Sequence, residues 1–192
     1  MIALIGNRPA IQVGNYQVHD YDTRWLGDAL ERAAAAAERQ DFPFLDEIRQ
    51  GIEEYLETRC SLELLPLPTL FERVRMMLEK IGCSPIASKL EPLAPPVTLS
   101  LEHAARTAGN GFELAFFEYL RSELRDLRDA GAEEIHFTHL RECVALLRQS
   151  DSWDDESERL LTDIRGFLYN HHRDHRDLPR PLRMRVENER IE

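Results

Sequence analysis

Apolar residues recur at intervals of three and four over most of this 192-residue chain, and one proline-rich segment interrupts the pattern completely. The spacing is typical of amphipathic helices, whereas closely spaced prolines end a helix. The interrupting segment is EPLAPPV, residues 91–97. We therefore predict a mainly α-helical protein with a first part at residues 1–91, a second helical part at residues 98–170 and a polar tail at residues 171–192.

The first twenty residues carry a different pattern, in which apolar residues alternate between Gly-Asn turns. Short strands joined by tight turns produce such alternation. We predict a small N-terminal β-ribbon, whose apolar positions are Ile2, Leu4, Ile5, Ile11, Val13, Tyr16 and Val18.

Four helices are predicted between the ribbon and the proline-rich linker. Asp22 can cap the first helix, whose apolar face includes Trp25 and part of a run of five alanines. The second helix follows Pro43, the third begins near Pro68, and the fourth is a short helix that opens at Ser84. Together these segments predict a helix bundle behind the ribbon.

The second part shows helical periodicity in four stretches, which glycines and polar residues separate. Ser100, Thr138 and Ser152 can each cap a helix, because their side-chain oxygens accept hydrogen bonds from free amides. Residues 135–137 are predicted to form a short link between two of these helices.

Acidic residues outnumber basic ones, with 35 Asp and Glu against 24 Lys and Arg, so that the net charge is −11. A broad nucleic-acid surface needs clustered positive charge, and we therefore expect no nucleic-acid partner. No apolar stretch reaches the roughly 20 residues that span a bilayer, and the first residues do not resemble a secretory signal. We expect a cytoplasmic protein without a membrane partner, whose three cysteines are reduced and mostly buried.

The segment NHHRDHRD, residues 170–177, is the richest in metal-binding side chains. His171, His172 and His175 could supply nitrogen ligands to a divalent cation, and the aspartates could supply oxygen. The alternative is a solvated helix end whose cations complement the helix dipole. A metal-dependent enzyme that uses this histidine cluster is one hypothesis for function.

A second group of reactive side chains comprises His136, His139 and Cys143. Cys143 follows His139 by four residues, so a helix would place both on one face. They could act as nucleophile and base, or the thiol could be a buried side chain beside a half-exposed histidine. The chain has no Walker loop and no GxGxxG, HExxH or GxSxG motif, and we predict that it is not an enzyme.

The segment AGNGFELAFFEYL, residues 108–120, sets a Gly-Asn-Gly turn before a strongly apolar helix. Free amides at this turn, together with Asn110, could bind an anion, or the turn could be a tight corner between helices. Phe112, Phe116 and Phe117 are spread more widely than one buried helix face requires. We predict that they form a patch for self-association or for a protein partner.

Two stretches carry a resemblance to a known family. Val13-Gly14-Asn15-Tyr16, followed by Tyr21-Asp22-Thr23-Arg24-Trp25-Leu26, lines up with a family strand and the start of its first helix. PTLFERVRMMLEKIGCSPIASKL, residues 68–90, is similar to the family's third helix, glycine corner and closing helix. On these residues, the region 11–90 resembles the ATP-cone domain, the allosteric nucleotide-binding module of ribonucleotide reductases and of their transcriptional regulator. The resemblance implies a β-ribbon, a helix bundle and a site for ATP or dATP.

The chain departs from this family at the phosphate-binding positions. Trp25 and uncharged residues of the first strand stand where the family has basic residues that contact phosphates. Arg8, Arg24 and Lys89 remain as candidate phosphate contacts, and Trp25 could stack a base or anchor the ribbon on the bundle. We therefore predict a degenerate ATP-cone-like fold in a non-catalytic regulatory or protein-interaction module without a cofactor. The alternative is a nucleotide-sensing allosteric domain for ATP or dATP.

Overall fold

A computed structural model describes residues 8–39, 42–109, 111–150, 152–174, 182–186 and 189–191. The chain forms two compact units, Met1–Pro95 and Pro96–Glu192. Their boundary falls within the proline-rich segment at residues 91–97. The fold is mixed α/β rather than mainly α, because each unit contains a small sheet.

The sheet of the first unit has three strands in the order β2-β1-β3. Strands β1 (Ala10–Val13) and β2 (Tyr16–Val18) pair antiparallel, which confirms the predicted ribbon for these residues. Strand β3 (Leu64–Pro66) pairs parallel with β1 and places Leu65 opposite Ile11. This third strand was not predicted, because three residues are too few to show a strand period. The predicted strand positions Ile2, Leu4 and Ile5 lie outside the described residues.

Within the described residues of the first unit, four α-helices and one π-helical turn accompany the sheet. They are α1 (Arg24–Ala36), α2 (Leu45–Glu54), the π-helical turn (Tyr55–Arg59), α3 (Leu67–Lys80) and α4 (Ser84–Ala87). The apolar faces predicted for α1 and α3 are buried, including Leu26 and Leu30 on α1 and Phe71 and Leu78 on α3. Helical periodicity therefore identified most core-facing residues of these two helices, but Ile81, which the same spacing placed on the apolar face of the third helix, is 55 % exposed.

The second unit contains a four-stranded sheet in the order β4-β5-β6-β7, which corrects the prediction of an all-helical second part. Strands β4 (Val97–Ser100), β5 (Glu134–Thr138) and β6 (Arg183–Val186) are parallel, and β7 (Glu189–Ile191) is antiparallel to β6. Residues 135–137, predicted as a link, are the centre of β5. Their pairing partners lie about 40 to 50 residues away along the chain, and local periodicity does not report such partners.

Side chains of the parallel strands alternate between a buried face and a more exposed one. Leu99, Phe137 and Val186 stand opposite one another and are buried. Thr98 is exposed, and its neighbours across the strands, His136 and Arg185, are partly exposed. One face of the sheet therefore supplies core to the second unit, while the other carries polar side chains.

Two helices connect each consecutive pair of parallel strands. They are α5 (Leu101–Ala108), α6 (Glu113–Asp129), α7 (Leu140–Arg148) and α8 (Asp155–Asp174). Ser100 caps α5 as predicted, because its Oγ accepts a hydrogen bond from the amide of His103 at 3.2 Å.

Two of the predicted helix caps are wrong. Thr138 is the last residue of β5, and α7 begins after His139, whose φ of 61° is left-handed. At the start of α8, Asp154 rather than Ser152 accepts the Ser157 amide hydrogen bond, at 2.8 Å. Short polar residues are frequent before helices, and sequence spacing alone does not separate the residue that caps from its neighbours.

The predicted boundary between residues 98–170 and a polar tail at residues 171–192 also needs correction. Helix α8 continues to Asp174, and β6 inserts Met184 and Val186 into the core of the second unit. Arg183 and Arg185 alternate with these apolar residues, which hides the strand in a composition that is polar on average. Among the described residues, no helix is long and apolar enough to cross a membrane.

Candidate functional site

The arginines predicted to bind phosphate are engaged with carboxylates. Arg8 donates to Glu53 at 2.7 Å and also pairs with Glu57, and these hydrogen bonds raise the Arg8 pKa. Arg24 donates through Nε to Asp22 at 2.7 Å, and this bond holds the Asp22 pKa below its usual value. In each case a carboxylate already offsets the positive charge of the guanidinium, which weakens its attraction for a phosphate.

Trp25 is a core residue of the first unit, with 5 % of its surface exposed. Its indole nitrogen donates to the carbonyl of Asp22 at 2.6 Å, and its ring contacts Tyr21 and Phe71. This placement agrees with an anchoring role near the start of α1. Lys89, the fourth predicted nucleotide contact, is exposed just after α4.

The predicted histidine cluster is only partly within the described residues, because His175 lies outside them. His171 stacks on Phe167 with ring centroids 6.2 Å apart, and His172 Nδ1 lies 2.8 Å from the carbonyl oxygen of Leu182. Within the part of the chain that the structure describes, no three metal-ligating side chains come together. The two described rings therefore contact other parts of the second unit.

The predicted phenylalanine patch needs correction at Phe116, which is fully buried. Phe117 is half-buried and packs on Phe167, with ring centroids 5.2 Å apart. Phe112 and Leu114 are 67 % and 84 % exposed. The exposed apolar residues therefore lie at the start of α6, and Leu114 joins Phe112 there in place of Phe116.

Cys143 is fully buried, and burial raises the pKa of its thiol to about 12. A thiol in this environment stays protonated near neutral pH and is a poor nucleophile. Of the two histidines, His136 pairs with Glu134 at 2.9 Å, and His139 Nδ1 lies 3.3 Å from Ser100 Oγ. That hydroxyl oxygen already accepts the amide hydrogen bond that caps α5. The structure thus favours the interpretation of Cys143 as a core residue.

A groove of about 640 Å³ opens on the first unit, between α3 on one side and α2 with the π-helical turn on the other. Its floor is apolar and consists of Ile52, Leu70, Val74 and Met77. Met76 and Ile81 also line it and are 47 % and 55 % exposed. Gly51 forms part of the α2 wall, and a Cβ atom added there would meet no atom within 4 Å. The groove therefore combines open space with an apolar surface.

Charged side chains surround this apolar floor. Arg59, Arg73 and Lys80 line the groove together with a single carboxylate, Glu54, which lies 3.8 Å from Arg59. Tyr55 accepts a hydrogen bond from Arg73. The charges that line the groove are thus three positive and one negative.

The π-helical turn positions part of this lining. The amide of Cys60 donates to the carbonyl of Tyr55 at 2.9 Å, a hydrogen bond that spans five residues instead of four. Such turns insert an extra residue into a helix and are frequent at functional sites. Here the turn brings both Tyr55 and Arg59 into the lining of the groove.

Sequence periodicity does not reveal this groove. Arg59 looks like a solvent-facing residue of one helical segment, and Arg73 and Lys80 look like solvent-facing residues of another. Only the placement of the π-helical turn beside α3, where Arg73 meets Tyr55, brings the three cations to one groove. Polar residues of this kind are usually assigned to a solvated face. The local sequence feature that could have indicated the groove was Gly51, a residue without a side chain within an otherwise helical stretch.

The family assignment of the chain, including the ATP-cone resemblance, stays a prediction after comparison with known proteins. No protein-family model, no curated protein and no solved structure matches the chain.

Proposed function

We propose that this chain is a non-catalytic regulatory or protein-interaction module whose first unit binds a ligand in the groove between α2 and α3. The observation that carries the proposal is the coincidence of about 640 Å³ of open volume with an apolar floor. Small-molecule sites are concave and mostly apolar, with volumes of roughly 300 to 1,000 Å³. The groove matches that description.

The chemistry of the lining supports binding rather than catalysis. The described residues that line the groove include aliphatic, methionine, tyrosine, arginine, lysine and glutamate side chains, but no serine, cysteine or histidine. The described lining therefore contains no Ser-His or Cys-His pair, the common source of a nucleophile beside its base. It offers packing and charge, which are the requirements of recognition.

The test uses 1-octanol as a neutral apolar probe and follows the amide chemical shifts of the full chain by NMR. We expect saturable shifts that concentrate on α2, the π-helical turn and α3. Gly51→Trp should abolish them, since its ring would fill the groove from a position with open space around Cβ. Gly166→Trp is the matched control, because Gly166 on α8 has equally open surroundings. Shifts that persist in Gly51→Trp would refute the groove as the binding site.

A nucleotide-sensing domain is the second candidate. It is supported by the ribbon followed by helices in the first unit, which is the arrangement that the ATP-cone resemblance implies. A titration with ATP and dATP, with and without magnesium, tests it. A nucleotide at 100 times its dissociation constant should stabilise the fold by about 2.7 kcal/mol. Unchanged stability at millimolar nucleotide would exclude this candidate.

A further inference from the structure

We infer that the ligand of this groove is a small, freely soluble amphiphile with an anionic head group and an apolar tail. The inference rests on the proposed function of the groove as a ligand site. It adds the chemical class of the ligand, which the apolar floor alone does not specify.

The distribution of charge carries the inference. The chain has a net charge of −11 and contains only two lysines, Lys80 and Lys89. The groove nevertheless has three cationic side chains in its lining against one carboxylate, Glu54. A local excess of positive charge on an acidic protein favours an anion at that place and selects against cationic ligands.

The three cations come from both walls of the groove. Arg59 ends the π-helical turn on one side, while Arg73 and Lys80 belong to α3 on the other. Arg73 donates to the Tyr55 hydroxyl, and its guanidinium lies 6.0 Å from the centre of that ring. A guanidinium has five N–H donors, so this single hydrogen bond orients Arg73 without exhausting its capacity to bind an anion.

The apolar floor supplies the surface for a tail. Ile52, Val74 and Met77 line the groove alongside the cations. Methionine side chains adapt their shape to different apolar partners, and Met76 and Met77 are adjacent in this lining. Burial of an alkyl tail on this floor tightens binding with each methylene group that leaves water, independently of the head group.

We assign the ligand to free solution rather than to a membrane surface. An anionic bilayer attracts proteins through clusters of basic residues and repels an acidic chain. With a net charge of −11, the approach of this protein to such a bilayer is unfavourable. A single soluble amphiphile brings one head group instead of a charged surface, so the repulsion from the acidic chain is smaller and the cations of the groove can offset it.

The experiment compares three probes with the same eight-carbon tail, namely octyl phosphate, 1-octanol and octylammonium, by NMR titration of the full chain. We expect octyl phosphate to bind roughly five- to tenfold more tightly than 1-octanol. This difference in affinity corresponds to about one or two partly exposed ion pairs between the phosphate and the cations of the groove. Octylammonium should bind more weakly than 1-octanol, and salt should reduce the preference for phosphate.

Variants locate the head group. Arg59→Gln and Lys80→Gln should each reduce the preference for octyl phosphate over 1-octanol, because both side chains are exposed on the groove. Lys89→Gln is the matched control, since it removes the other lysine at a position that does not line the groove. Loss of the preference in Lys89→Gln alone would overturn the assignment of the head-group site.

The outcomes separate this inference from the proposed function. Equal binding of all three probes at the groove would overturn the inference and leave the groove as a ligand site. Failure of every probe to shift α2 and α3 would refute the groove as a ligand site and the inference with it. Cosedimentation with phosphatidylglycerol vesicles that requires Arg59 and Lys80 would overturn the assignment to a soluble ligand.

Discussion

Arg73 on α3 donates a hydrogen bond to the hydroxyl of Tyr55, and its guanidinium carbon lies 6.0 Å from the centre of the same ring. The two residues are 18 positions apart and stand on opposite walls of the groove. Their contact therefore joins the π-helical turn to α3. This hydrogen bond fixes the position of the Arg73 guanidinium, which adds positive charge to the lining of the groove.

The Tyr55 hydroxyl should contribute measurably to the stability of the first unit. Tyr55→Phe removes the acceptor and keeps the ring, so we expect a loss of about 0.5 to 1.5 kcal/mol in the free energy of unfolding. Urea denaturation measures this loss. Arg73→Met removes the donor of the same hydrogen bond and should also lower the free energy of unfolding. Equal stability of wild type and both variants would show that the pair does not hold the groove together.

Two glycines with open surroundings should respond oppositely to alanine. A Cβ atom at Gly51 or at Gly82 would meet no atom within 4 Å, but only Gly82 has a positive φ, of 84°. Gly51→Ala should stabilise the protein by about 0.5 to 1 kcal/mol, because alanine favours a helix. Gly82→Ala should destabilise it, because a side chain is strained at that φ. Thermal unfolding of both variants shows whether each substitution raises or lowers the stability. A Gly82→Ala variant that is more stable than wild type would contradict the positive φ at Gly82.

The Glu134 carboxylate should make the second unit sensitive to acid. Burial alone would raise its pKa, but the hydrogen bond with His136 and the charges of Arg183 and Arg185 lower it below the usual 4.5. A lowered folded-state pKa contributes stability that is present above about pH 4.5 and is lost as the pH falls through the lowered value. The free energy of unfolding should therefore fall as the pH drops below about 4.5. In Glu134→Gln the free energy of unfolding should fall less over the same pH range. A variant with the same pH dependence as wild type would contradict the lowered pKa of Glu134.

The three cysteines should differ in reactivity towards a thiol reagent. Cys143 and Cys83 are buried, and the pKa of Cys143 is raised to about 12, whereas Cys60 is half-exposed. At about pH 8 we expect Cys60 to react in the native protein, and Cys83 and Cys143 to react only after unfolding in urea. Mass spectrometry of the labelled chain locates the modified residues. Rapid native labelling of Cys143 would show that it is not a core residue.

Several features of the fold were predictable because they depend on neighbours in the chain. The apolar positions of α1 and α3 recur every three or four residues, so their buried faces could be read directly. Ser100 was recognised as a cap because capping involves a side-chain oxygen and an amide three residues later, although the same signal was misleading at Thr138 and Ser152. The linker prolines end a helix through their own ring geometry, whatever lies around them.

The strands of the second unit and the groove of the first were not predictable in this way. Ile135 becomes part of a sheet only because Val97 and Met184 lie on either side of it, and both are distant in the chain. Histidine and arginine between the apolar residues of β5 and β6 also weaken the strand signal. The same limit applies to the candidate site, whose cations come from separate helical segments.

The sequence by itself determined the helices of the first unit, the ribbon at residues 10–18, the break near residue 95 and the absence of common catalytic motifs. Tertiary structure decided which strands pair, which of the predicted arginines meet carboxylates, and where Arg59, Arg73 and Lys80 meet an apolar floor. The physical reason is the distance along the chain over which each kind of interaction acts. Helix periodicity and capping act within a few residues, whereas strand pairing and a groove between helices depend on side chains that only packing brings together.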